Sequence, residues 1–158
     1  MDKIIKVNRR SIKSLLKVDE EANHQVTGNL SSKEKLKSLQ KRFDDGYELF
    51  YAYKRNNEII AYITLKPFFP GYKHCEIYWL NVKQNYQGEG VGTKLIKYIE
   101  KLAKQMQFRK VCVYTGKTMK LTRHFYEKNK FKLINEFPDY YGCPTGNKIA
   151  VLYVKDLK

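Results

Sequence analysis

No stretch of the sequence approaches the roughly 18 consecutive apolar residues needed to cross a bilayer. The opening residues, MDKIIKVNRR, also lack the apolar core of a secretory signal peptide, so the expectation is a cytoplasmic protein without membrane association. Cysteine is scarce: Cys75, Cys112 and Cys143 are odd in number and show no C-x-x-C spacing, which argues against a disulfide framework or a zinc ribbon. Two of them read as small core residues, while Cys143 lies in a turn-rich stretch as either a free thiol or a plain turn residue. Histidine is scarcer in effect, because His24, His74 and His124 are far apart and form no ligand spacing, so no metal is expected. His74 and Cys75 are neighbours on one strand and point to opposite faces, which argues against a Cys-His nucleophile. Acidic residues are also few: 16 Asp and Glu against 31 Lys and Arg give a net charge of +15. Such a balance points to anionic partners without choosing among nucleic acid, phosphorylated cofactors and acidic surfaces.

What is present describes a globular chain of 158 residues, 42% hydrophobic and 14% aromatic, long enough for a single domain with a real core. Ile4 to Val7 reads as a strand, followed by a helix carrying Ile12, Leu15, Leu16 and Val18. Ser31 and Glu34 make a capping box ahead of a helix bearing Leu36, Leu39 and Phe43. Glu48–Arg55 and Glu58–Lys66 form a hairpin around Asn56-Asn57, and Cys75–Val82 is the next strand. Val91, Leu95, Ile99, Leu102 and Met106 step at helical spacing from about Gly90 to Gln107. A strand around Val111 and Val113, a short helix from Leu121 to Lys128 with Phe125 inward, and strands at Phe131–Phe137 and Ile149–Val154 complete the chain. The order implies an α+β fold, one mixed sheet of six to seven strands with about four flanking helices and some parallel pairing.

The segment Gln87-Gly88-Glu89-Gly90-Val91-Gly92-Thr93 lies between a strand and the longest helix. A helix start offers unpaired N–H groups and partial positive charge, so glycines there suit an anion; they suit a simple turn as well. The spelling fits neither the Rossmann fingerprint nor the P-loop. It resembles the Q/R-x-x-G-x-G/A signature of the GNAT superfamily, the acyl-CoA-dependent N-acetyltransferases, through Gln87, Gly90 and Gly92. A second segment similar to that family is Phe125-Tyr126-Glu127-Lys128-Asn129-Lys130-Phe131, and the resemblance extends from the hairpin to the final strand.

The resemblance implies that acetyl-CoA is the cosubstrate. Residues Gln87, Gly88, Glu89, Gly90, Val91, Gly92 and Thr93 would surround its pyrophosphate, and the backbone of Leu80, Asn81 and Val82 would pair with pantetheine as an added strand. It also implies roles for Glu76, as the base that takes the amine proton, and for Tyr126, as the acid or orienting group at the sulfur. From its residue type and place alone, Glu76 could equally be a rim carboxylate paired with a lysine, and Tyr126 a core-packing aromatic. Two positions depart from the family pattern: Met119 stands where many relatives carry a CoA-contacting Asn, and Lys130 where they usually carry Gly. Relatives are often homodimers.

The acceptor is less defined. Tyr140 and Tyr141 resemble the tyrosines that wall the peptide slot of ribosomal-protein and other amino-terminal acetyltransferases; a core-capping role is equally compatible with the sequence. Some of those enzymes place a glutamate base where this chain has Tyr114. A small amine, such as a polyamine or an antibiotic, is the alternative, with Asp44, Asp45, Glu48, Glu58 and Glu76 available to make a cleft acidic. Two readings from other classes are an RNA-associated basic binding protein and a non-catalytic CoA-binding regulator. The lysines are scattered and the aromatics fall into strand alternation, which disfavours nucleic acid as the main partner.

Overall fold

The computed structural model describes residues 1–22, 30–141 and 148–158, so Cys143 and His24 lie outside the described residues. Its elements follow the order expected from the sequence: β1 (Lys3–Lys6), α1 (Ile12–Glu21), α2 (Ser32–Asp44), β2 (Leu49–Arg55), β3 (Glu58–Pro67), β4 (His74–Val82), α3 (Val91–Gln105), β5 (Lys110–Gly116), α4 (Lys120–Lys128), β6 (Lys132–Phe137) and β7 (Ala150–Asp156). Short 3₁₀ turns at Arg9–Ser11 and Gln84–Tyr86 were not anticipated. The strands hydrogen-bond in the order β1-β2-β3-β4-β5-β7-β6. The chain divides into two compact units, residues 1–67 with 78–99 and residues 68–77 with 100–158.

In the first unit, β1, β2 and β3 pair antiparallel. The β2–β3 turn has Asn56 at φ 47° and Asn57 at φ 66°, the left-handed pair that a tight hairpin requires and that Asn tolerates. At the start of α2 the Ser31 and Glu34 capping box forms in both directions, satisfying amides that the helix leaves without partners. The apolar faces of α1 and α2 meet the sheet through Ile12, Leu15, Val18, Leu39, Phe50, Ala52 and Tyr62. Trp79 packs against the edge of this core.

In the second unit, β5, β7 and β6 pair antiparallel, while β4 runs parallel to β5 with His74, Cys75 and Glu76 opposite Lys110, Val111 and Cys112. Cys75 and Cys112 are buried free thiols, as their small size and strand positions suggested. On α4 the buried residue is Tyr126 at 5% exposure, whereas Phe125, expected inward, is only half-buried. Tyr126 takes the inward place because its ring meets Phe131 and Tyr153 at 5.6 and 6.4 Å, with Phe125 edge-on behind it at 5.2 Å.

Candidate active site

The glycine turn belongs to the first unit. Gly88 and Gly90 sit at φ 83° and 79°, a conformation costly for any residue with a Cβ. A Cβ built on either would meet nothing within 4 Å, so backbone conformation, not space, requires glycine. Gln87 donates its backbone amide to the Gln84 carbonyl, and the next such bond is from Lys94 to Gly90. Among the described residues, the amides of 88–93, at the start of α3, therefore have no backbone acceptor. This fits a bound anion, and with it the CoA pyrophosphate.

Side chains around the turn hold its shape. Gln87 donates from Nε2 to the Val82 carbonyl at 3.0 Å, tying the turn back to the end of β4. Glu89 accepts from Arg55 at 2.6 Å, and Arg55 also pairs with Asp2, so the one carboxylate of the turn is neutralised. Val91 is buried as the first core residue of α3, while Gly92 and Thr93 are half-buried.

At the end of β4, Tyr78 and Trp79 should point to opposite faces, yet their rings lie 6.2 Å apart and the Arg42 guanidinium stands within 5.0 and 5.3 Å of both. Arg42 thereby bridges the two rings, while burial along the strand still alternates, with Cys75, Ile77 and Asn81 buried and Tyr78, Leu80 and Val82 more exposed; Glu76 is the buried exception. Leu80 and Val82 are half-buried. Asn81 is 2% exposed, and its amide donates to Asp19 of α1, which also accepts from the Tyr62 hydroxyl at 2.6 Å. That buried network was not visible in the sequence, because its members are 19 to 62 residues apart.

The second unit brings together the catalytic and acceptor candidates. Glu76 is 4% exposed, so its carboxylate lies beneath the surface of the second unit. Its charge reaches Cys112 and Tyr114 on β5 and helps to raise the pKa of both, after the larger effect of burial. Tyr114 stacks on Tyr140 at 5.4 Å with planes 9° apart, and Tyr140 meets Tyr141 edge-on at 5.0 Å. Tyr141 in turn adds to the upward shift of Tyr126, whose hydroxyl burial already pushes well above the ordinary tyrosine range. Tyr114 is the member that sequence reasoning missed as a participant, having treated it as the mere lack of a glutamate. The residue two along from Cys112 on β5 was the available signal.

Among the described residues no three His, Cys, Asp or Glu side chains group to hold a metal, and no helix is long and apolar enough to cross a membrane. Four of the five acids that could help make a cleft acidic are ion-paired: Asp44 with Arg9, Asp45 with Lys41, Glu48 with Arg42 and Glu58 with Lys83.

Comparison with known proteins gives the family. A sequence model described as the acetyltransferase (GNAT) family matches residues 12–131, a span that contains Glu76, the glycine turn and Tyr126 but stops short of Tyr140 and Tyr141. No curated protein sequence matches. Among solved structures, a Desulfovibrio desulfuricans protein assigned to the GNAT family as an acetyltransferase superposes with a TM-score of 0.83 at 17% identity, covering 100% of both chains. The ribosomal-protein-S18-alanine N-acetyltransferase of Escherichia coli gives 0.79 at 14% identity over 100% of this chain and 95% of that one. A Thermoplasma acidophilum PaiA N-acetyltransferase in complex with coenzyme A gives 0.72 at 19% identity over 99% of each chain. At these identities the structures speak to fold, and the match over residues 12–131 speaks to descent: the chain belongs to the GNAT family of acetyltransferases, enzymes that use acetyl-CoA.

Proposed function

We propose that the protein transfers the acetyl group of acetyl-CoA to a primary amine at a protein or peptide amino terminus, with Glu76 as base and Tyr126 as the donor to sulfur. The observation that carries this reading is the run of ring contacts Tyr114–Tyr140–Tyr141, with Glu76 at one end near enough to raise the pKa of Tyr114 and Tyr141 at the other near enough to raise that of Tyr126. It links the two catalytic candidates through the two acceptor candidates, and it includes residues the family match does not reach. The ion pairing of Asp44, Asp45, Glu48 and Glu58 counts against a small polycation as acceptor.

Acetyl-CoA supplies the activated acyl carbon as a thioester. The amides of Gly88 to Thr93 hold its pyrophosphate, supported by Gln87 and Glu89. The backbone of Leu80, Asn81 and Val82, beyond the residues that β5 pairs, offers strand-like hydrogen bonds to the pantetheine arm. Glu76 accepts the proton of the attacking ammonium, directly or through water, a contribution of roughly 10²–10⁴-fold. Tyr126 stays protonated throughout the working pH range because burial holds its pKa up. An ordinary thiol near pKa 8.5 is the stronger acid, so Tyr126 assists by hydrogen-bonding the sulfur as charge develops there.

Calorimetry with acetyl-CoA tests the cofactor half. The native protein and Gly90→Ala bind, the latter weakened by its backbone conformation, and Gly90→Glu loses binding because a carboxylate enters the anion cradle. Mass spectrometry of peptides, polyamines and aminoglycosides incubated with acetyl-CoA tests the acceptor half. Acetylation of peptide amino termini is expected; modification of the small amines alone overturns the acceptor assignment.

A further inference from the structure

One end of the second unit is left unused by acetyl transfer. The amides of Arg109 and Lys110 both donate to the Lys73 carbonyl, at 2.8 and 3.3 Å, and the Leu157 amide donates to the Arg109 carbonyl at 2.8 Å. The loop 68–73, the start of β5 and the end of β7 are thereby tied together. On that loop Phe68 is 61% exposed and Tyr72 75%, with Phe69 also exposed. The rings of Phe68 and Tyr72 are nearly parallel, 17° apart at 6.4 Å, and Phe68 stands edge-on to buried Phe108 at 5.1 Å. Phe68 has φ 58°, a region bulky residues rarely enter, so a strained backbone holds an aromatic ring out toward water.

Charge at the same end is mainly positive. Lys110 pairs with Asp156 at 2.6 Å, and the Asp156 carboxyl is held below its ordinary range by Lys110 first, with Lys132 and Lys158 adding. Lys73 lies 4.8 Å over the Tyr72 ring, and neither Lys73 nor Arg109 forms an ion pair with a described residue. Three cations thus act on one carboxylate, and Lys73 and Arg109 add two more without an ion-pair partner among the described residues.

We propose that this end of the second unit binds single-stranded nucleic acid, with phosphates on Lys73, Arg109 and Lys158 and bases stacked on Phe68 and Tyr72. Cations alone would suit any polyanion and rings alone an apolar peptide; a flexible polyanion with flat aromatic faces uses both. The net charge of +15 adds long-range attraction. The sequence pattern placed the aromatics in the core, and these depart because they fall in the break between β3 and β4.

Fluorescence anisotropy with the full chain and labelled oligonucleotides of about 12 nucleotides tests this, using single-stranded RNA, single-stranded DNA and duplex RNA across a salt titration. Either single strand binding above the duplex supports the proposal, and their relative affinity assigns RNA or DNA. Tyr72→Ala weakens binding about fivefold or more while Tyr72→Phe retains it, and so exposed a residue leaves the melting temperature unchanged. Lys73→Glu with Arg109→Glu flattens the salt dependence by about 0.7 in log-log slope per lost phosphate contact. Equal affinity for duplex, indifference to these variants, displacement by polyglutamate at equal charge, or no binding at low salt each overturns it. Acetyl-CoA affinity is expected to be unchanged in all these variants, so this proposal and the acetyl-transfer reading fail separately.

Discussion

Tyr62 in the first unit and Tyr126 in the second are both buried, and burial pushes both hydroxyls well above the ordinary tyrosine range. Their surroundings differ. The Tyr62 hydroxyl donates to Asp19, whose charge pushes its pKa further up, and the Asn81 amide donates to the same carboxylate. Three elements, α1, β3 and β4, are pinned by one acid. At Tyr126 the second cause is another hydroxyl, Tyr141, and the ring rests on Phe125, Phe131 and Tyr153. A raised pKa therefore does not mark a catalytic group by itself. What separates the two is that the Tyr62 proton is committed to a buried carboxylate.

Removing each hydroxyl separates the two tyrosines. Tyr126→Phe is expected to lower kcat by about 10²-fold or more while acetyl-CoA affinity and melting temperature hold, because a donor to the developing charge is lost and the packing ring remains. Tyr62→Phe is expected to do the reverse. Asp19 loses a donor in a buried setting, which costs about 1–3 kcal/mol of stability, while turnover per folded molecule changes little. Steady-state kinetics with thermal unfolding of both variants checks the pair. Two variants that both lose stability and keep turnover would return Tyr126 to a packing role.

The two regions were not equally legible. The periodicity of α3, the Ser31–Glu34 box and the Asn56-Asn57 turn are local signals, and each appears where it was expected within about two residues. The glycine turn was legible for the same reason, since helix start and glycines are contiguous. Tyr114 with Tyr140 and Asp19 with Asn81 were not, because long-range pairing has no trace in local spacing. The closeness of the Tyr78 and Trp79 rings around Arg42 was not legible either, because Arg42 comes from a distant helix. On α4, Leu121 and Phe125 share one face at i,i+4 spacing and pointed to Phe125 as the inward residue, yet Leu121 is exposed and Tyr126, about 100° further round the helix, is the buried one.

Cys75 and Cys112 extend the comparison to pH. Burial pushes Cys75 up to about 12 and Cys112 up to about 11, with the Cys112 thiol and the Glu76 carboxylate respectively as the second cause. Both stay protonated in the folded chain at pH 8 and are expected to resist alkylation until the protein unfolds. The sign for stability follows. Unfolded thiols titrate near pH 8.5, below the folded values, so the stability associated with these groups is present below that pH and declines as pH rises toward 11 and 12. Alkylation mapped by mass spectrometry and urea midpoints between pH 8 and 10.5 measure both effects. Rapid native labelling of either cysteine would contradict their burial.

Tyr153 provides the smallest and most discriminating step, because it shares burial with the other two and contact with one. Its ring is fully buried 6.4 Å from that of Tyr126, and its hydroxyl donates to Glu127 at 2.6 Å while accepting from Arg123 at 3.1 Å. Glu127 is exposed to solvent and Arg123 also donates to the Lys117 carbonyl, so neither partner is left buried and unsatisfied when the hydroxyl goes. Tyr153→Phe should therefore cost about 1 kcal/mol or less, below Tyr62→Phe, and should leave kcat within a few-fold because the ring supporting Tyr126 is preserved. A loss of kcat matching that of Tyr126→Phe would mean that the proton serving the reaction belongs to the Arg123, Tyr153 and Glu127 set.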